Sequence, residues 1–252
     1  YYPEVGALRL VGDEEMIREF PEVYRKVTAE RPGAIELSEH FWQCFAHDFT
    51  PPGGQSEPLF HLVHENEFGI DGYACYRVVG QRVRVEELMA GSIQAHVALW
   101  KFCLNMDLMS GTEAFNRPLD DPLPWMLADP RRLSRTTVDG LWVRLVDVLS
   151  TLAGRKYMVP GNLVIEVFDS FCPWNQGRYE LNAGIGESDC RRTNRSPDIS
   201  ISAAHLASLY MGAVSLSTLL RAGRAEVHRI DSLRIADAMF SVKLKPWGPH
   251  GF

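Results

Sequence analysis

The sequence lacks the features of a membrane protein and those of a nucleic-acid-binding protein. No uncharged apolar run approaches ~18 residues, so no transmembrane helix is predicted. Lysine and arginine number 26 against 32 aspartates and glutamates, and the resulting net charge of −6 has the wrong sign for binding nucleic acid. We therefore expect no membrane and no nucleic acid as partner, and the negative charge favours cationic ligands.

Cysteine pairs and metal-binding motifs are also missing. The five cysteines include no C-x-x-C pair, which argues against a zinc site or a disulfide framework and indicates a cytoplasmic protein. His61 and His64 suggest a metal site, but residues three apart in a strand point to opposite faces. The sequence contains no G-x-S-x-G, P-loop or H-E-x-x-H motif. We expect no metal, and these motifs assign no activity.

What the sequence does have is the composition of a globular protein with two domains. Hydrophobic residues make up 46% and charged residues 23% of its 252 residues, and this length corresponds to about 1.7 average domains. A connection rich in proline and aspartate ends near residues 135–139, so we expect domains at residues 1–135 and 136–252. No signal peptide is present. The chain opens at Tyr1 without a methionine, which indicates processing or the back portion of a longer protein.

Hydrophobic periodicity predicts a mixed sheet with packed helices in the first half. Strands are expected at residues 59–64, 69–79 and 82–88 and within residues 106–115. Helices are expected after Asp13 with a restart at Pro21, after the cap Ser38, and from Ile93.

The second half has a separate pattern of strands followed by helices. Strands are expected at residues 141–148, 163–168, 178–181 and 198–201. Helices are expected at residues 203–211 and 215–221, and a last helix is expected after the cap Asp231. The predicted fold class is therefore α+β.

Long sequence blocks in a fixed order resemble one known family. They are residues 116–132 (NRPLDDPLPWMLADPRR), 139–148 (DGLWVRLVDV), 171–175 (FCPWN), 212–216 (GAVSL) and 236–240 (ADAMF), followed by Pro246-Trp247 and a terminal Phe252. This order is similar to that of the Eis (enhanced intracellular survival) family of GCN5-related N-acetyltransferases, or GNATs. The resemblance implies a GNAT-like mixed-sheet domain followed by a sterol-carrier-protein-like (SCP2-like) α/β domain, without the family's N-terminal acetyl-CoA-binding domain.

The residues themselves argue against a cofactor site in this chain. In the acetyltransferase fold, spaced glycines between a central strand and the next helix present N–H groups to the pyrophosphate. Residues 87–93 read ELMAGSI and lack those spaced glycines. We therefore expect acetyl-CoA to be bound by the missing domain.

The resemblance also implies the chemistry and the partners. The family transfers acetyl groups to amines, including those of aminoglycosides and lysine side chains, and assembles into homo-oligomers that are hexameric. Its general base is the main-chain carboxylate of the last residue, which is Phe252 here. The preceding tail, residues 245–252, holds two aromatic residues and two prolines, which favours a docked tail over a frayed terminus.

Three further residues are candidates for binding the amine substrate. Asp147 is either a cap of the following helix or one of the carboxylates that attract polycationic amines. Asp121 is a weaker candidate, because Asp-Asp-Pro is also ordinary turn chemistry. Trp247 lies in the aromatic tail and is expected beside the base.

Two other functions stay open from the sequence. The SCP2-like half could act as a module that binds a lipid or another apolar ligand. The chain could instead serve as a scaffold for oligomerisation.

Overall fold

The computed structural model describes residues 5–46, 57–184 and 186–250. The chain forms two compact units. The first runs to Gly140 and takes in the chain again from Trp247, and the second is Leu141–Pro246. The units thus separate a little after the expected boundary at residue 135, and Trp247 belongs to the first unit. Phe252, the predicted base, lies outside the described residues.

The first unit is a five-stranded sheet with helices on both faces. Its elements are β1 (Ala7–Val11), α1 (Asp13–Thr28), α2 (Glu39–Ala46), β2 (Phe60–Asn66), β3 (Gly69–Val79), β4 (Arg82–Ala90), α3 (Ile93–Leu104), β5 (Gly111–Ala114) and α4 (Leu123–Met126). The strands lie in the order β1-β2-β3-β4-β5. Neighbours from β1 to β4 are antiparallel, and β5 is parallel to β4. The predicted mixed sheet is confirmed.

Two hydrophobic cores cover the two faces of this sheet. On the first face, Met16, Phe20 and Tyr24 of α1 follow the four-residue spacing of a helix face and are buried against the sheet. On the other face, α3 packs its buried Leu99 and Trp100. The restart predicted at Pro21 is wrong: α1 is one helix, and its buried face continues past the proline.

The sheet is irregular in β4. Cys75 of β3 pairs with Glu87, but the next pair is Tyr76 with Val85, so one extra residue lies in β4 as a β-bulge. An extra residue reverses the alternation of side chains. Val85 therefore packs in the core on the α3 side, whereas Met89 packs in the core on the α1 side.

Strands β4 and β5 pair over four residues only, from Arg82–Gly111 to Val85–Ala114. The carboxyl-terminal half of β4 continues to Ala90 beyond the end of this pairing. In that part of β4, side chains rather than a neighbouring strand therefore have to supply hydrogen-bond partners for the backbone groups at the edge.

The second unit is also a five-stranded sheet. Its elements are α5 (Val148–Gly154), β6 (Gly161–Phe168), β7 (Gly177–Ala183), β8 (Ser188–Arg192), β9 (Ile199–Ser202), α6 (Ala203–Tyr210), α7 (Leu216–Arg221), β10 (Ala225–Val227) and α8 (Ile230–Phe240). The order is β10-β9-β6-β7-β8, with β6 and β9 parallel and the other neighbours antiparallel. One core joins the inner face of this sheet to the helices. The predicted α+β class, with two mixed sheets in succession, is confirmed.

Two sequence predictions in the second half are wrong. Residues 141–147 form no strand, and Trp142 and Val146 are 81% and 63% exposed. The apolar run there has no neighbouring strand with which to pair, so composition alone misled the assignment. Asp231 is not the cap of α8, because the helix already begins at Ile230.

Within the described residues, no helix has both the length and the apolar character needed to cross a bilayer. In the same part of the chain, no three His, Cys, Asp or Glu side chains gather as a metal ion would require. His61 lies beside Phe20 at the α1 face, whereas His64 of the same strand contacts Asp71. The two imidazoles point away from each other, as their spacing predicts.

Candidate functional site

The amino terminus of α3 is occupied by a carboxylate of the protein itself. Ser92 caps the helix by accepting a hydrogen bond from the Ala95 N–H, and its hydroxyl donates to Asp71 Oδ2 at 2.5 Å. The Gly91 N–H donates to the main-chain oxygen of Asp71 at 2.7 Å. The other carboxylate oxygen of Asp71 lies 2.5 Å from His64 Nδ1. A helix amino terminus attracts anions, and Asp71 already supplies the negative charge here.

Trp247 anchors the terminal segment, residues 247–250, in the first unit. Its backbone N–H donates to the oxygen of Pro32 at 2.9 Å, and its indole N–H donates to the oxygen of Asn116 at 2.6 Å. The guanidinium groups of Arg31 and Arg117 lie 5.4 and 5.6 Å from the ring centroid. Trp247 is only 8% exposed. Its aromatic surface, its indole N–H and its main chain are thus all engaged.

Arg117 connects Trp247 with the unpaired edge of β4. One terminal nitrogen donates to the oxygen of Leu88 at 2.6 Å, and the Nε atom donates to Asp121 Oδ2 at 2.9 Å. The guanidinium therefore fills the gap where β4 extends past β5. This places an arginine where a continuing strand would have supplied backbone donors.

Asp121 is buried and fully committed to its neighbours. Its Oδ1 accepts from the Leu123 N–H at 2.9 Å and lies 3.3 Å from His96 Nε2. Burial alone would raise the pKa of this carboxyl, but His96, Arg117 and the Leu123 N–H outweigh burial and hold the pKa well below its usual range. These contacts suit a carboxylate that fixes the turn before α4.

The β-bulge in β4 places Glu87 among aromatic residues. Glu87 is 6% exposed, and its Oε1 accepts from the Tyr73 hydroxyl at 3.0 Å. Oε2 is buried and has no hydrogen-bond partner among the described residues. Burial raises the pKa of Glu87 to about 7, although the Tyr73 hydroxyl and Arg117 act in the opposite direction. Glu87 therefore titrates near neutral pH.

His250 of the terminal segment faces Glu87. Its Nε2 lies 3.6 Å from Glu87 Oε1, and its ring lies 4.7 Å from that of Phe41 in an edge-on arrangement. Tyr24 and Phe45 complete the aromatic surroundings, at 5.7 and 6.4 Å between centroids. Burial lowers the pKa of His250 to about 4. The ring is thus neutral at neutral pH and packs as an aromatic group.

The sequence candidates are only partly brought together. Trp247 and Asp121 meet around Arg117 in the first unit. Asp147 belongs to the second unit, where it caps α5 by accepting from the Ser150 N–H at 3.0 Å. The Ser150 N–H and hydroxyl also lower the pKa of Asp147.

Glu87 and His250 were not among the candidate site residues predicted from the sequence. An acidic residue inside an otherwise alternating strand was a usable signal for Glu87, but its burial depends on a bulge that the sequence does not reveal. His250 follows a proline in a short tail, and no periodicity assigns its neighbours.

Comparison with protein families gives two consecutive matches. Residues 33–145 match the family described as Acetyltransferase (GNAT) domain. Residues 148–249 match the family described as Sterol carrier protein domain. The first match covers β2–β5 of the first sheet, and the second match covers all five strands of the second sheet.

Relatives of known name match over most of the chain. An uncharacterized N-acetyltransferase of Streptomyces avermitilis is 36% identical over 238 residues, which are 91% of this chain and 58% of that protein. The N-acetyltransferase Eis of Mycobacterium tuberculosis is 35% identical over 245 residues, which are 94% of this chain and 58% of the relative. The crystal structure of Eis1 from Mycobacterium abscessus is similar with a TM-score of 0.81 at 29% identity, over 100% of this chain and 64% of that one. The chain thus spans about three fifths of the length of these curated relatives.

Proposed function

Since the chain belongs to the Eis-like family of GNAT acetyltransferases, we propose that it supplies the general base of an acetyl-CoA-dependent N-acetyltransferase. The acceptors are amines, with aminoglycosides and lysine side chains as the expected classes. The net charge of −6 supports a cationic acceptor. The base is the α-carboxylate of Phe252.

The anchored terminal segment is the observation that carries this proposal. A free terminus that serves no purpose frays, whereas Trp247 is buried and held by two hydrogen bonds and two guanidinium groups. Phe252 follows His250 by two residues, and two residues span at most about 7 Å. The described chain thus supplies a fixed point, Trp247, a few residues before the proposed base, and a positioned base requires such a fixed point.

The acid–base chemistry is consistent with a terminal carboxylate. An α-carboxyl group has a pKa of about 3.3–3.7, so it is ionised at neutral pH, whereas an unperturbed primary ammonium loses its proton only near about 10.4. The carboxylate of Phe252 accepts the proton that the acceptor nitrogen releases, and burial of the carboxylate or a neighbouring charge on a polyamine narrows the gap between the two pKa values. Help of this kind increases rates by about 10²–10⁴.

The described residues at the amino terminus of α3 do not fit the pyrophosphate of acetyl-CoA. Asp71 occupies the helix terminus where the pyrophosphate of this cofactor would lie, and a second anion there would be repelled. This supports the proposal that a domain outside this chain binds the cofactor and that this chain contributes the base.

The test uses the full-length protein that carries this chain. Deleting Phe252, or adding one glycine after it, removes or displaces the carboxylate and should lower kcat at least about 10²-fold. The affinity for acetyl-CoA should not change, because the cofactor site lies elsewhere. A tag at the amino terminus is the matched control. Undiminished turnover of the extended protein, with an aminoglycoside and with a lysine-containing peptide, would eliminate this role of Phe252.

The packing of the second unit gives no support to the apolar-ligand alternative. Buried side chains of both layers meet between its sheet and its helices. They include Leu163, Ile165 and Leu181 from the strands and Leu152, Leu206, Leu216, Met239 and Phe240 from the helices. These large side chains pack between the sheet and the helices of the second unit.

A further inference from the structure

We propose that Glu87 and His250 are positioning residues, which together with Trp247 hold the end of the chain so that the Phe252 carboxylate reaches the acceptor amine. This inference rests on the base role proposed above. It concerns two residues that touch neither the acceptor nor the acetyl donor in the proposed reaction.

A buried carboxyl group such as that of Glu87 destabilises the fold unless it has hydrogen-bond partners. Its Oε2 is buried with no hydrogen bond among the described residues, and an unsatisfied buried acceptor destabilises a fold. An apolar side chain would lose two features: the acceptor for the buried Tyr73 hydroxyl, and the approach of His250 Nε2, which lies 3.6 Å from Oε1. A shift of less than an ångström would make this approach a normal hydrogen bond.

Two anchors three residues apart fix the direction in which the chain ends. Trp247 is held at Pro32 and Asn116, and His250 packs against its aromatic neighbours with its Nε2 atom 3.6 Å from Glu87 Oε1. Between them, Pro249 restricts the backbone. With one anchor, the last residues could rotate about Trp247. A second anchor at His250 restricts the direction in which the chain continues. A base needs such precision, since a misplacement of 1 Å can lower a rate about 10²-fold.

Titratable and charged groups approach the pair from several elements. Tyr24 approaches from α1, Tyr73 and Cys75 from β3, and Arg117 from the segment after β5. In this apolar site burial disfavours both the carboxylate and the imidazolium. Below about pH 7 Glu87 is protonated, and after a small approach it could donate to the neutral Nε2 of His250.

The first experiment follows the position of the terminus without any measurement of activity. A carboxypeptidase that removes aromatic C-terminal residues is added to the native chain, and the release of Phe252 is followed by mass spectrometry. Glu87→Leu and His250→Ala should each speed this release at least about 10-fold, because cleavage follows the population of the undocked terminus. Glu226→Leu, at an exposed position of β10, is the matched control and should release Phe252 at the wild-type rate. Equal rates in wild type and Glu87→Leu would overturn the inference.

The second experiment measures turnover in the full-length protein. In a Tyr73→Phe background, where no hydroxyl is left without its acceptor, Glu87→Leu should lower kcat at least about 10-fold, leave the KM for acetyl-CoA unchanged, and keep a melting temperature at or above that of Tyr73→Phe. In the wild type, ionisation of Glu87 should give the pH dependence of kcat an inflection near pH 7. Glu87→Gln keeps an acceptor for Tyr73 and a donor for His250, so it should retain most of kcat and lose this inflection. A purely structural role would lower kcat and stability together and would overturn the inference.

The two proposals fail in distinguishable ways. If deletion of Phe252 leaves kcat unchanged but Glu87→Leu speeds the release of Phe252, the base role is wrong and the positioning of the terminus is right. If the deletion lowers kcat and Glu87→Leu changes neither release nor kcat, the base role holds and the positioning role is wrong.

Discussion

The hydroxyl of Ser92 donates to Oδ2 of Asp71 at 2.5 Å, at the first turn of α3. This bond places a carboxylate where an acetyltransferase that binds its cofactor would accept a pyrophosphate. The missing glycines between Glu87 and Ile93 pointed to the same conclusion, and Asp71 adds a physical reason. A helix terminus has only a few free N–H groups, and here the Ala95 N–H is already bonded to Ser92.

We therefore predict that this chain does not bind acetyl-CoA. Titration calorimetry of the chain with acetyl-CoA should give no binding heat, whereas a full-length family member with its cofactor domain should give a normal isotherm. A dissociation constant in the micromolar range for acetyl-CoA and this chain would contradict the prediction. Ionic strength should be varied in the titration, because weak attraction of a polyanion to surface arginines falls with added salt.

The central strands and the edge strand β5 could be predicted from the sequence, and the other edge strands of the described residues could not. The alternating apolar residues of β3 and the apolar run of β6 are visible without a structure. The three strands that were missed, β1, β8 and β10, all lie at an edge of their sheet. An edge strand buries few side chains: in β8 only Cys190 is buried, so the hydrophobic pattern that reveals a strand is absent.

The candidate site could be predicted only where a family resemblance supplied it. Trp247 was found through its place in an aromatic tail, and its partners Asn116 and Pro32 are 131 and 215 positions away along the chain (247 − 116 and 247 − 32). The burial of Glu87 depends on the bulge between the pairs of Cys75 and Tyr76, which moves the side chain to the other face. One extra residue in a strand leaves no mark in composition, so periodicity alone could not reveal this position.

Asp147 allows the two interpretations of its role to be separated. If it acts as the cap of α5, Asp147→Ala should lower the melting temperature by a few degrees, while Asp147→Ser and Asp147→Asn should stay near the wild type. If it also attracts the acceptor, Asp147→Ser in the full-length protein should raise the KM for an aminoglycoside. A normal KM together with the loss of stability in Asp147→Ala would leave capping as its only role.

Trp247 should contribute strongly to the stability of the first unit. Replacing a buried Trp by alanine costs about 3–5 kcal/mol. Trp247→Phe keeps most of the ring but leaves the oxygen of Asn116 without its donor, so it should cost about 1–3 kcal/mol. Trp125 is 89% exposed, and Trp125→Ala is the matched control, with an expected change within about 0.5 kcal/mol. Guanidinium denaturation followed by circular dichroism measures all three. A Trp247→Ala variant as stable as Trp125→Ala would show that the terminal segment is not anchored.

Glu87 and His250 should give the stability of the protein two opposing dependences on pH. The pKa of Glu87 rises from 4.5 to about 7 on folding, so the folded state holds its proton more tightly than the unfolded state does. The associated stabilisation is present below pH 4.5 and is lost as the pH rises to 7, by roughly 3 kcal/mol. The pKa of His250 falls from 6.5 to about 4, so its contribution is present above pH 6.5 and is lost as the pH falls towards 4. In the wild type the two trends largely offset each other.

Single variants should therefore reveal slopes of opposite sign. Glu87→Gln leaves His250 to titrate, and its free energy of unfolding should rise between pH 4 and 6.5. His250→Phe keeps the aromatic packing around Glu87, and its free energy of unfolding should fall between pH 4.5 and 7. Urea denaturation at half-unit steps of pH measures both slopes. The double variant Glu87→Gln/His250→Phe gives the pH dependence that all other titrating groups cause, and this dependence is subtracted from that of each single variant. Because burial causes each shift, a single variant whose slope equals that of the double variant would show that the remaining residue is in contact with solvent and that the terminal segment does not cover Glu87.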